Sequence, residues 1–184
     1  ELVDRGWEPR PGIQPASVHT TIDAELQREA RLALDRTLDE LERDDPKRAP
    51  LQGAVVVLAP STGDILAMVG GREGLRGGFH RALDGQRQPG SAFKPFVALA
   101  ALRTRGMGPA TQLDDAPLSV PTRQGEWTPE NFDHQYRGMV SLRRALEESL
   151  NVPMARVAIE TGAEEIVRTA HQAGIESSLP ATYS

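Results

Sequence analysis

Apolar residues recur at Leu26, Ala30, Ala33, Leu34, Leu38 and Leu41, with Glu, Arg and Asp between them. Steps of three and four mark one face of a helix. The pattern predicts a helix from about Thr21 to Arg43, with Thr21 or Asp23 as its cap. Asp44-Asp45-Pro46 ends it. The period then changes. Ala54 to Leu58 and Ile65 to Val69 are short apolar runs, and Pro60-Ser61-Thr62-Gly63-Asp64 between them is turn chemistry. Gly53 to Gly71 therefore read as a β-hairpin. Runs this uniformly apolar suggest a sheet covered on both faces. Gly70, Gly71, Gly74, Gly77 and Gly78 follow as a flexible loop. It is not a phosphate loop, because no Gly-Lys-Ser/Thr follows.

Pro89-Gly90 punctuates the chain before an Ala-rich helix predicted from Ser91 to about Arg105, ended by Gly106 and Gly108. Residues 107–140 hold many turn formers and little periodicity, so they read as a long irregular excursion, with Asp114-Asp115 as a turn. Ser141 can cap a helix through about Leu150. Pro153 suits the first turn of another, ending near Gly162. A last helix spans Ala163 to Ala173 and stops at Gly174. Residues 1–18, with Pro9, Pro11 and Pro15, read as a linker or extended arm. A helix, a hairpin, then mostly helices is an α+β order.

Composition narrows the chemistry. Hydrophobic residues are 39% of the 184 and aromatics 4%, so the core must be aliphatic. The net charge of −5 lacks the concentrated basic surface that nucleic acid needs. Without Cys there are no disulfides, thiolate ligands or Cys nucleophile. His19, His80, His134 and His171 are widely spaced and fit no metal signature, so no metal or cofactor is expected. No apolar run approaches the roughly 20 residues of a membrane span. Both ends read as cuts from something longer.

Lys47 and Lys94 are the only lysines among 21 basic residues. In so Arg-biased a chain each Lys invites a reason, since Arg cannot act as a deprotonated amine. Lys94 stands three residues after Ser91, at a predicted helix start. Positions three apart share a helix face, and the positive end of the helix dipole disfavours an ammonium. A neutral lysine there can take the proton of a serine nucleophile. Pro95 adds a tension, because it disfavours a helical residue before it. The plainer alternatives are that Ser91 caps the helix and Lys94 is a solvated charge. A second candidate pair is Ser149 and Asn151. A hydroxyl there could relay a proton and an amide could hold a substrate amide. Alternatively Ser149 fills a helix end and Asn151 caps the helix that Pro153 opens.

The stretch Arg81-Ala82-Leu83-Asp84-Gly85-Gln86-Arg87-Gln88-Pro89-Gly90-Ser91-Ala92-Phe93-Lys94-Pro95 resembles the active-site serine region of class A, bifunctional penicillin-binding proteins. Three further stretches agree in order: Thr20-Thr21-Ile22-Asp23 with Leu26-Gln27, the hairpin Gly53 to Gly71, and Trp127-Thr128-Pro129-Glu130-Asn131-Phe132 leading to Ser141–Asn151. The resemblance covers about residues 18–184. It implies the N-terminal portion of a transpeptidase domain over residues 19–184, of the penicillin-binding and serine β-lactamase-like fold, an antiparallel sheet flanked by helices.

The resemblance also implies a reaction, the cross-linking of peptidoglycan stem peptides. Ser91 is then the nucleophile, Lys94 the general base, Ser149 the proton relay and Asn151 the substrate-amide ligand. β-Lactams, as mimics of D-Ala-D-Ala, acylate Ser91. It implies an extracytoplasmic site, with a membrane anchor and a glycosyltransferase domain outside this chain. One departure is large: the family's third motif, Lys-Thr-Gly, is absent, and no Lys follows Lys94. These residues alone are therefore expected to be inactive and to need the missing half of the domain. A non-catalytic penicillin sensor or structural remnant is the alternative.

Overall fold

The computed structural model describes residues 19–72, 79–122 and 125–182. The linker predicted for residues 1–18, and residues 73–78 of the glycine loop, lie outside the described residues. The chain divides into two compact units, residues 1–87 and 88–184.

The first unit is a helix on a hairpin. Helix α1 (Ala24–Asp44) is capped by Asp23, whose Oδ1 accepts from the amides of Glu25 and Leu26, both at 2.9 Å. Thr21, the other candidate cap, instead donates its hydroxyl to the carbonyl of Ile65 at 2.7 Å. Strands β1 (Val55–Leu58) and β2 (Ile65–Val69) pair antiparallel, with an irregularity between Val57 and Leu58. Ala30, Leu34 and Leu38, four residues apart, bury against Ala67, Val69, Val55 and Val57. Gln27 locks the two layers together: its amide donates to the carbonyl of Met68 at 2.9 Å and accepts from its N–H at 2.8 Å.

Helix α1 covers one face of the hairpin. Strand alternation turns Val56 and Leu58 away from the α1 core, and they are 45% and 53% exposed. A short helix α2 (Arg81–Asp84) follows.

The second unit opens with a 3-10 turn (Gly90–Phe93) that runs directly into α3 (Lys94–Thr104). Then come β3 (Gln112–Asp115), β4 (Val120–Thr122), β5 (Gly125–Trp127), β6 (Gly138–Ser141), α4 (Leu142–Glu147), α5 (Asn151–Thr161) and α6 (Ala163–Gln172). β3 pairs antiparallel with β6, and β4 with β5. Val97, Ala98, Ala100 and Ala101 of α3 form the core with Leu113, Val140, Leu142, Ala145, Leu150, Met154, Val157 and Ile166. Small residues on α3 allow the close approach of α5 and α6.

The helices of this unit match the sequence reading, including the Ser141 cap, whose hydroxyl accepts from the amide of Arg144 at 3.2 Å. The excursion does not. Residues 107–140 contain four short strands, and Asp114-Asp115 lies in β3 rather than in a turn. Strands of three or four residues are too short to show a period. β3 also points a carboxylate inward: Leu113 is 7% and Asp115 0% exposed.

Candidate active site

The 3-10 turn has a local cause. Pro95 has no N–H, so it cannot close the α-type bond to the carbonyl of Ser91. The amide of Lys94 takes that carbonyl instead. Three residues per turn places residue i+3 directly over residue i, and the Lys94 amine lies 3.1 Å from the Ser91 hydroxyl. Lys94 is helical despite Pro95, at φ −54° and ψ −36°. Gly90, at φ +55°, makes the sharp approach that a residue with a Cβ adopts only under strain.

Ser149 and Asn151, 55 and 57 residues along the chain, meet the same amine. Lys94 Nζ lies 3.0 Å from Ser149 Oγ, 2.6 Å from the Ser149 carbonyl and 2.7 Å from Asn151 Oδ1. The structure thus brings all four residues singled out from sequence to one nitrogen. Ser149 also ends α4, as the plainer alternative had it: its amide donates to the carbonyl of Leu146 at 3.2 Å and that of Leu150 to the carbonyl of Ala145 at 2.9 Å. The other plain readings are not realised. Lys94 is half-buried and contacts no carboxylate among the described residues, and the Asn151 side chain does not cap its own helix.

Four oxygens surround an ammonium with only three N–H donors. The shortest contacts are to the two carbonyl-type oxygens, and the longest is to Ser91 Oγ. A neutral amine fits the same cage differently. Two N–H groups serve the Ser149 carbonyl and Asn151 Oδ1, and the lone pair faces a serine hydroxyl. Burial pushes the Lys94 amine below the 10.5 of an ordinary lysine, toward that neutral form.

Ser149 reaches Lys94 with both its carbonyl and its hydroxyl because its backbone is left-handed, at φ +54°. That conformation costs a residue with a Cβ about 1–2 kcal/mol. The same conformation closes α4, where a left-handed residue is a common helix ending.

One site residue escaped the sequence reading, Asp115, and Glu130 entered it only as part of a resembling stretch. The carbonyl of Glu130 accepts from Asn151 Nδ2 at 2.8 Å and so turns the other end of that amide toward Lys94. Asn131 was seen only as part of a resembling stretch. Its amide lies between Asp115 and the start of α5. The available signal for Asp115 was an Asp two residues after Leu113, on the same inward face of β3. A cavity of about 410 Å³ adjoins Lys94 and Asn151, walled by Phe93, Val97, Trp127, Pro129 and Met154. Among the described residues, no cluster of His, Asp or Glu could hold a metal.

A serine and a lysine at a helix start, facing a serine and an asparagine from another helix junction, have the parts of a serine acyl-transfer site. The profile of the penicillin binding protein transpeptidase domain matches residues 53–184. The chain belongs to the penicillin-binding protein transpeptidase family. It is 42% identical over 138 residues to penicillin-binding protein 1A of Neisseria meningitidis, covering 73% of this chain and 17% of that protein. With penicillin-binding protein 1B of Vibrio cholerae it shares 36% identity over 160 residues, 86% of this chain and 20% of the relative. The PonA1 protein of Mycobacterium tuberculosis, solved in complex with penicillin V, superposes with a TM-score of 0.72 at 34% identity, covering 89% of this chain and 40% of that one. The expected fold and class A membership are borne out. The chain spans about a fifth of the length of these curated relatives.

Proposed function

We propose that the protein carrying this chain is a D,D-transpeptidase that cross-links peptidoglycan stem peptides through an acyl-enzyme on Ser91. Neutral Lys94 takes the Ser91 proton as Oγ attacks the carbonyl of the penultimate D-Ala. The peptide bond to the terminal D-Ala breaks, and Ser149 passes its proton to the departing amine and takes the one that Lys94 holds, 3.0 Å away, in its place. The amine of a second stem peptide then attacks the Ser91 ester, forms the new amide and returns the proton to Ser91. Asn151, held by Lys94 and the Glu130 carbonyl, keeps one N–H for a substrate carbonyl. A β-lactam enters the first half of this sequence and stops there. The work takes place outside the cytoplasm, with a membrane anchor and a glycosyltransferase domain supplied elsewhere in the protein. The observation that carries this reading is one amine within 3.1 Å of two serine hydroxyls.

The test is to give the intact protein a donor peptide ending in D-Ala-D-Ala and an amine acceptor. One D-Ala released per cross-link is the expected result. Penicillin binding without any release would favour the sensor alternative and contradict this reading. The same assay on the 184 residues alone is expected to show turnover lower by at least about 10²–10³. That is the scale of an oxyanion-hole donor, which the missing Lys-Thr-Gly strand is proposed to help supply.

Ser149 carries a separate prediction. Ser149→Gly removes both the strain and the hydroxyl. It is expected to raise stability by about 0.5–1 kcal/mol, net of the added freedom of the unfolded chain, while slowing cross-linking about 10²-fold or more. A thermal melt and the D-Ala release assay check the two signs. A variant both less stable and equally active would refute it.

A further inference from the structure

Asn151 is the first residue of α5, and Leu150 at the cap position has no side chain that accepts a hydrogen bond. The cap comes from elsewhere. The amides of Asn151 and Val152 donate to Asn131 Oδ1 at 2.8 and 3.2 Å. Asn131 Nδ2 donates to the Asp115 carboxylate, 2.8 Å from one oxygen and 3.1 Å from the other, and to the carbonyl of Gln135 at 2.8 Å. Both acceptor directions and both N–H groups of this amide are used. Asn131 is 2% and Asp115 0% exposed. Asp115 also accepts from the amide of Arg137 at 3.0 Å, and the Arg137 guanidinium stands 4.0 Å away.

A helix start needs only Ser, Thr, Asp or Asn at the cap itself. A buried carboxylate behind the cap is costly unless it is paired. What it adds is direction. A carboxylate only accepts, so Asn131 must turn Nδ2 toward Asp115 and Oδ1 toward α5. The neighbouring Glu130 carbonyl holds Nδ2 of Asn151. One short segment therefore grips Asn151 by its backbone and by its side chain, and leaves Oδ1 for Lys94.

We propose that Asp115 and Asn131 are positioning residues of the acylation site: Asp115 fixes the orientation of the Asn131 amide, and Asn131 holds the start of α5 where Asn151 meets the Lys94 amine. This rests on the reading of Ser91 and Lys94 given above. The groups facing that amine are Ser91, Ser149 and Asn151, all uncharged. Those around Asp115 are Arg137 and, on the far side of Arg137, Asp133 and Glu148.

The test follows penicillin acylation of the intact protein across pH, per folded molecule, beside its melting temperature. Asn131→Ala is expected to acylate about 10- to 100-fold more slowly, the scale of a reacting group displaced by about 1 Å. The rise of rate with pH should move to lower pH, because an acceptor that favours the ammonium has been displaced. Asp115→Asn should show a smaller change in the same directions. Val157→Ala, buried in α5 away from this network, should lower the melting temperature and move neither rate nor pH limb. Asn131→Asp sets two carboxylates face to face and should be slow. Adding Asp115→Asn to it restores an acid–amide pair and should recover rate.

Lower melting temperatures with wild-type rates and an unmoved limb would overturn the proposal. So would a double variant no faster than Asn131→Asp alone, a comparison that holds even where Asn131→Ala does not fold. Labelling of Ser91→Ala at the wild-type rate is a different failure. It removes the reading of Ser91 and this proposal with it.

Discussion

Ser91→Ala is expected to abolish covalent labelling of the intact protein by penicillin while leaving the fold untouched. Ser91 is exposed, and among the described residues its side chain makes one hydrogen bond, the 3.1 Å contact with Lys94. Its loss therefore costs little stability, within about 0.5 kcal/mol for an exposed position. The chemical loss is of another order. Removing the nucleophile of a serine hydrolase costs on the order of 10⁶ in rate, and the ester that would trap the drug cannot form at all. Labelled penicillin on a denaturing gel, beside a thermal melt, reads both effects. A labelled Ser91→Ala protein would place the nucleophile elsewhere.

Lys94→Arg is expected to slow acylation by about 10²–10⁴, the usual contribution of a general base. Arginine keeps the positive charge and offers donors to the Ser149 carbonyl and Asn151 Oδ1. It cannot give up a proton at any pH the protein survives. The substitution therefore separates charge from basicity. In the unaltered protein, burial lowers the Lys94 value, so a larger share of the amine is neutral at a given pH than in a free lysine. The acylation rate should rise as pH rises through that lowered value and be lost as pH falls below it. In the arginine variant this rising limb should disappear. An arginine variant with an unchanged limb would assign the base to another group.

The parts of the fold that were legible in sequence are those with a long period or a strong punctuator. The α1 stripe of Ala30, Leu34 and Leu38, the hairpin turn, and the glycines after α5 and α6 each rest on several residues that agree. The strands of the excursion rest on three or four residues each, and their one inward polar residue, Asp115, breaks the apolar alternation that would reveal β3. The site divides along the same line. Ser91 and Lys94 are neighbours through local turn geometry, so their spacing made them candidates, and the resemblance chose that reading over a helix cap and a solvated charge. Ser149 and Asn151 reach Lys94 through the packing of α3 on α5, which no spacing encodes, and only the resemblance joined them. The left-handed backbone of Ser149 left no trace, since serine is not a residue that usually marks that conformation. Asn131 caps a helix twenty residues downstream, where a local search for a cap finds only Leu150.

The central claim is that one amine, Lys94, activates one hydroxyl, Ser91, for acyl transfer. The measurement that tests it most directly is peptide mapping by mass spectrometry of the intact protein after brief exposure to penicillin. The account predicts a single adduct, with the mass of the intact drug, on the peptide containing Ser91. It predicts that this adduct is lost in Ser91→Ala and forms far more slowly in Lys94→Arg. An adduct on any other residue, or the same adduct at an unchanged rate in Lys94→Arg, would contradict it.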